Sequence, residues 1–168
     1  MEMLSSQGLS GWAKNLLLGE LRSVADCYIP FRIFQVQVIN RGEKTSHILG
    51  VDAVNGTLDP YHFDQLPAQD ELILKETRNR LPAALSDEDA QRLAIDKVRH
   101  LIFSQGFFRL RNFEINAEIV SGDIYIPYWT GFRGRGAQAH LTVMDAVRRK
   151  IEGARVRQML RQWLTSAQ

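Results

Sequence analysis

The chain is short of nearly everything that announces chemistry. Cys27 is its only cysteine, so an intrachain disulfide and a cysteine-rich zinc site are both excluded. No apolar run approaches the length needed to cross a bilayer. Leu16-Leu17-Leu18 is too short for the apolar region of a secretory leader. The expectation is therefore a cytoplasmic protein with no membrane span. Charge is almost balanced, with 21 basic against 19 acidic residues, and a total so close to neutral does not point to nucleic acid or to an anionic membrane. A Gly-x-Ser-x-Gly elbow is absent. The glycines from Gly131 to Gly136 lie between two predicted strands, where a phosphate-binding loop does not belong.

Other candidates for chemistry have simpler readings. His62-Phe63-Asp64 could set two ligands on one side of an extended segment, but a metal needs three or four; a surface loop histidine is the simpler account. His100 reads as solvated on a helix flank. Glu114 and Glu118 share one strand face, which alternation explains as the wet face. Cys27 ends a predicted helix and reads as a half-buried small hydrophobe. No catalytic residue, metal site or cofactor is expected, and the chain is read as non-enzymatic.

What is present is a globular composition, 45% hydrophobic and 24% charged, suited to one medium domain or two small ones sharing a core. The sequence also says one thing twice. Tyr28-Ile29-Pro30-Phe31 opens a segment closing on Val51-Asp52-Ala53-Val54. Tyr125-Ile126-Pro127-Tyr128 opens another closing on Met144-Asp145-Ala146-Val147. A polar glycine turn lies inside each, at Asn40-Arg41-Gly42-Glu43 and Arg133-Gly134-Arg135-Gly136. The pattern predicts a duplication with an antiparallel hairpin over 28–52 and another over 125–145.

Periodicity supplies the elements. Leu9, Trp12, Ala13, Leu16, Leu17, Leu21 and Val24 predict a helix over 9–26. Phe34, Val36 and Val38 alternate with Gln35 and Gln37 as in a half-buried strand, and a second strand runs from about Lys44 to Asp52. Residues 57–85, punctuated by Pro60, Pro67 and Pro82, form a connection in which Leu72-Ile73-Leu74 fits a short strand or a helical turn. Ser86, followed by Asp87, Glu88 and Asp89, starts a helix with Ala90, Leu93, Ala94, Lys97, Val98, Leu101 and Ile102 on one face, apolar but for Lys97. Strands over 113–119 and 124–132, joined by a turn at Ser121-Gly122-Asp123, precede a third over 137–143. Val156, Met159, Leu160, Trp163 and Leu164 stripe a C-terminal helix. The expected core includes Phe34, Val36, Val38, Leu93, Val98, Leu101, Leu141 and Val143.

A helix followed by an antiparallel meander whose last strand closes on Asp-Ala-x-x-Gly resembles the PepSY domain family. Val51-Asp52-Ala53-Val54-Asn55-Gly56 matches that ending. Met144-Asp145-Ala146-Val147 matches its first part, with Arg148, Arg149 and Lys150 where the turn glycine belongs. The resemblance implies an α+β fold: a tandem repeat of helix plus antiparallel β-meander, helices packed on one face of curled sheets, with a C-terminal helix. It places a first repeat at 1–64, a connection at 65–85 and a second repeat at 86–168. It also implies a non-catalytic protein of the kind linked to inhibition or regulation of peptidases.

The function expected is a binding or regulatory module acting through protein–protein interaction, either with a protein partner or by self-association through the C-terminal helix. The alternative is nucleic-acid binding by the hairpin 125–136. There Tyr128 and Trp129 would stack on bases while Arg133 and Arg135 meet phosphates, with Arg109, Arg111, Arg148, Arg149, Lys150, Arg155, Arg157 and Arg161 adding positive charge to that half. Tyr128 and Trp129 are neighbours on one strand and point to opposite faces, which makes a poor platform, so nucleic acid is not the expected partner.

Overall fold

The computed structural model describes residues 21–104, 113–133 and 140–166. The described chain is α+β, as the sequence predicts. Its elements are β1 (Leu21–Asn40), β2 (Glu43–Asp52), β3 (Tyr61–Phe63), a 3₁₀ turn at Gln69–Glu71, α1 (Asp87–Ser104), β4 (Phe113–Arg133), β5 (His140–Asp145), β6 (Lys150–Ile151) and α2 (Ala154–Ser166). The strands make a six-stranded antiparallel sheet in the order β3-β2-β1-β4-β5-β6. Two compact units interleave along the chain. One holds Pro30–Ala68 and Pro82–Ile124; the other holds Met1–Ile29, Gln69–Leu81 and Tyr125–Gln168.

In the unit of Pro30–Ala68 and Pro82–Ile124, β1 and β2 form the hairpin that the alternation predicts. Its register runs from Phe31↔Asp52 to Asn40↔Glu43. The loop is two residues long, with Arg41 and Gly42 both at positive φ (51° and 88°), the backbone that suits the twist of paired strands. Phe34, Val36 and Val38 are buried while Gln35 and Gln37 are half-exposed. α1 covers the apolar side. Ser86 caps it by accepting the Asp89 N–H at 3.1 Å, and Asp87, Glu88 and Asp89 occupy its first turn, where the helix dipole favours acids. The Arg92 guanidinium, then the Ser86 hydroxyl, hold the Asp89 carboxyl below its ordinary value.

Ala90, Ala94 and Val98 bury against Phe34, Val36, Val38, Leu49, Val51 and Ala117. This i, i+4, i+8 row corrects the predicted face: Leu101 is 37% exposed, and Ile102, one turn beyond Val98, packs on the core instead. Leu93 is half-buried there as well. Small residues at 90 and 94 let the helix axis approach the sheet, so the contact row follows them rather than the leucines. α1 packs against β2, so the helix that the resemblance assigns to the second repeat covers the hairpin preceding it in sequence. The turn predicted at Ser121-Gly122-Asp123 is also corrected. These residues lie inside β4, a continuous strand of 21 residues.

In the other unit, residues 21–26 are strand rather than the end of a helix; the remainder of the predicted helix, 9–20, lies outside the described residues. Here ladder pairing outweighs the helical stripe, since propensity over six residues is a weak preference. Leu72-Ile73-Leu74 is neither strand nor helix. The segment after it is anchored on β1. Tyr28 N–H donates to the Asn79 carbonyl at 2.8 Å, and Leu81 N–H donates to the Tyr28 carbonyl at 2.9 Å. β4 and β5 form the second predicted hairpin, with register from Tyr128↔Asp145 to Arg133↔His140. α2 packs on β5. Val156, Met159 and Leu160 are buried there, so this part of the stripe is used within the chain and is not free for self-association.

Candidate functional site

The paired motifs resolve into two aspartate turns built alike. Asp52 and Asp145 are wholly buried. Phe31, just after Pro30, lies opposite Asp52, and Tyr128, just after Pro127, lies opposite Asp145. The next residue closes each corner: Ala53 N–H donates to the Pro30 carbonyl at 2.8 Å, and Ala146 N–H donates to the Pro127 carbonyl at 3.0 Å. Asp52 Oδ1 accepts the N–H groups of Val54, Asn55 and Gly56 at 3.1, 3.0 and 3.0 Å, while Oδ2 accepts that of Leu58 at 2.8 Å. Asp145 Oδ1 accepts from Val147 and Arg148, each at 2.8 Å.

Four residues past each aspartate the backbone is left-handed, with φ 71° at Gly56 and 55° at Arg149. The turn without a glycine therefore keeps the glycine conformation. At Gly56 a Cβ would come within 2.3 Å of Leu93 Cδ1, so that site needs glycine for space as well as for φ. These carboxylates hold loops. Both oxygens of Asp52 accept from backbone donors, and Oδ1 of Asp145 does the same, which is the work of a structural turn.

The proposed aromatic platform is corrected. Tyr128 and Trp129 are 3% and 5% exposed, and Trp129 packs with Met144 and Ala146. Neither ring offers a face on which a base could stack. Both faces of the strand are covered at this point, which alternation alone does not reveal. Arg133 ends β4 opposite His140; its side chain, and Arg135 altogether, lie outside the described residues.

The four histidines are all exposed. His47, His62 and Asp64 line a shallow depression of about 420 Å³ with Gln35, Ser46, Ile48 and Phe63. Among the described residues no group of three His, Cys, Asp or Glu is close enough to hold a metal.

Cys27 is 3% exposed. Burial pushes its thiol above the ordinary value, the Asp26 charge adds to this, and the Thr130 hydroxyl works the other way. Thr130 Oγ1 also donates to the Ala25 carbonyl at 2.9 Å. A buried thiol held neutral is a packing group rather than a nucleophile.

Sequence reading misses Arg32. Its side chain is 12% exposed and bonds Asp123 through Nε and Nη2, at 2.9 and 3.3 Å. Nη1 reaches the Leu85 carbonyl at 3.1 Å and Asp87 at 2.8 Å. The guanidinium thus ties β4 to the start of α1 as a clamp. The available signal was an arginine between Phe31 and Ile33 in an apolar run, since a charge there must be paired.

Two surface features remain. His140, Leu141, Thr142, Ala154, Arg157, Gln158 and Arg161 line a groove of about 600 Å³ between β5 and α2. In the anchored connection, Leu72 and Ile73 are exposed, and Leu74 is 102% exposed. Among the described residues no helix is long and apolar enough to cross a membrane. No protein-family model, no curated protein and no solved structure matches this chain.

Proposed function

We propose that the protein is a non-catalytic binding or regulatory module that acts through contact with a protein partner, on a fold made by tandem duplication of a PepSY-like hairpin. The duplication is supported by the two aspartate turns: the same register opposite the residue after proline, the same alanine-to-proline-carbonyl bond, and the same left-handed fourth position. In this reading each repeat is a hairpin followed by the helix that covers it, α1 on β2 and α2 on β5.

The observation that carries the partner reading is Leu72-Ile73-Leu74. Three consecutive large apolar side chains are exposed there, Leu72 and Ile73 in part (37% and 43%) and Leu74 fully, on a segment fixed to β1 at Tyr28. Isolated exposed leucines are ordinary, whereas a contiguous apolar run on an anchored segment is what interaction sites expose. A segment of this kind, outside helix and strand, suits a partner with an apolar groove.

The test compares the wild-type chain with a Leu72→Ser, Ile73→Ser, Leu74→Ser variant as baits in lysate of the native host. A protein retained by the wild type and lost from a variant of unchanged melting temperature is expected. Equal retention by both baits overturns the assignment. For nucleic acid, Tyr128 and Trp129, the two rings expected to stack, are buried. Anisotropy titration is expected to give nothing tighter than the non-specific range of roughly 10⁻⁴–10⁻⁶ M at physiological salt.

A further inference from the structure

We infer that the groove between β5 and α2 is a binding site for a small organic phosphate, separate from the protein contact proposed above. Unbalanced charge is the starting point. α2 reads Ala-Arg-Val-Arg-Gln-Met-Leu-Arg-Gln-Trp-Leu-Thr-Ser and contains no acid. On α1 the exposed arginines are each paired with an aspartate three residues earlier, Arg92 with Asp89 and Arg99 with Asp96. Arg157 and Arg161 have no such partner, and among the described residues neither guanidinium is in an ion pair. Arg157 also sits in the first turn of α2, where the helix dipole disfavours a cation and favours an anion. A helix that needed only solubility would carry the glutamates and lysines that pair along its length.

Geometry converts this charge into a site. Arg157 and Arg161 are one turn apart on one helix face and line the same groove as His140, Thr142 and Gln158. Among the described residues that line it, none is a carboxylate. Positions four apart on a helix lie about 5–6 Å from each other at Cβ, close enough for both planar guanidiniums to grip one phosphate or two linked ones through paired N–H bonds. The Thr142 hydroxyl, the Gln158 amide and the His140 imidazole supply neutral hydrogen bonds. Leu141 and Ala154 give an apolar wall. A volume of about 600 Å³ falls within the range of small-molecule sites, roughly 300–1,000 Å³. The ligand that fits is an organic phosphate of modest size.

The experiment is a titration of the full chain with inorganic pyrophosphate, followed by amide and side-chain NMR. Shifts should concentrate at 140–142 and 154–161. Arg161→Gln, at an exposed position, should weaken binding about tenfold or more, the worth of one hydrogen-bonded charge. Arg157→Gln with Arg161→Gln should abolish it. Absence of shifts, shifts centred elsewhere, or affinity unchanged in Arg161→Gln would overturn the inference. A second arm uses a single-stranded 20-mer. If it shifts the same residues at a concentration at least a hundredfold below that needed with pyrophosphate, the groove reads nucleic-acid backbone and the small-molecule assignment fails.

Discussion

Replacing Asp52 removes the acceptor on which one whole corner of the fold depends. Its carboxylate takes four backbone N–H bonds, three on Oδ1 and one on Oδ2. In Asp52→Ala all four donors lose their partner. Those of Val54 and Asn55 are part-buried and can turn to water, whereas the bonds to Gly56 and Leu58 are buried. An orphaned buried donor costs about 1–3 kcal/mol, so two cost about 2–6 kcal/mol. Asp52→Asn is the discriminating variant. Its Oδ1 still serves Val54, Asn55 and Gly56, but its amide nitrogen then faces the Leu58 N–H, donor against donor. One orphan remains, at about 1–3 kcal/mol. Urea unfolding followed by tryptophan fluorescence and circular dichroism gives both values, and an unchanged m identifies a folded-state effect. The predicted order is wild type, then Asn, then Ala. If both variants lie within 0.5 kcal/mol of wild type, a range usual for surface changes, the carboxylate does not hold the turn and the reasoning fails.

Leu101→Ala should cost under about 1 kcal/mol, while Val98→Ala, which empties a fully packed position, should cost about 2 kcal/mol; urea midpoints compare them, and a reversed order would restore the face predicted from periodicity. Arg149→Gly should raise stability by about 0.5–1 kcal/mol, because the left-handed backbone penalises a side chain by about 1–2 kcal/mol and glycine returns part of that as entropy. Gly56→Ala should be destabilising, since both φ and Leu93 oppose it. Cys27 should resist alkylation until the protein unfolds. Its pKa is raised in the folded state, so its contribution to stability is present below the unfolded thiol's pKa and is lost as pH rises above about 9, where the unfolded thiolate forms; a Cys27→Ser variant should lack that alkaline loss.

Particular residues show where sequence reasoning reached. Both hairpins were legible because period-two alternation and two marked turns coincide, at Phe34 to Val38 around Arg41-Gly42 and again at Leu141 to Val143. The cap at Ser86 was legible because a cap needs only a local oxygen. Leu101 was misplaced because helical spacing defines a stripe about 100° wide and cannot say which edge of it meets the sheet; the small residues Ala90 and Ala94 decided that. Residues 21–26 carry a helical stripe yet pair as strand, and Ser121-Gly122-Asp123 reads as a turn yet continues β4. In both cases the deciding partner is distant in sequence. The carboxylate of Asp123 is taken by Arg32, ninety-one residues away, and no local pattern carries that information. Tyr128 and Trp129 failed as a site for a related reason: alternation assumes one wet face, and here both faces are covered.

The most direct test of the protein-partner account is amide hydrogen exchange at Leu72, Ile73, Leu74 and Lys75, in the protein alone and in complex with the partner retained by the wild-type bait. The Leu72, Ile73 and Leu74 amides belong to a segment without helix or strand pairing, and they should exchange quickly in the free chain. The account predicts slowing by tenfold or more at these four positions in the complex, with Ala90 to Val98 unchanged. Equal rates at Leu72 to Lys75 in the free and bound protein would contradict it.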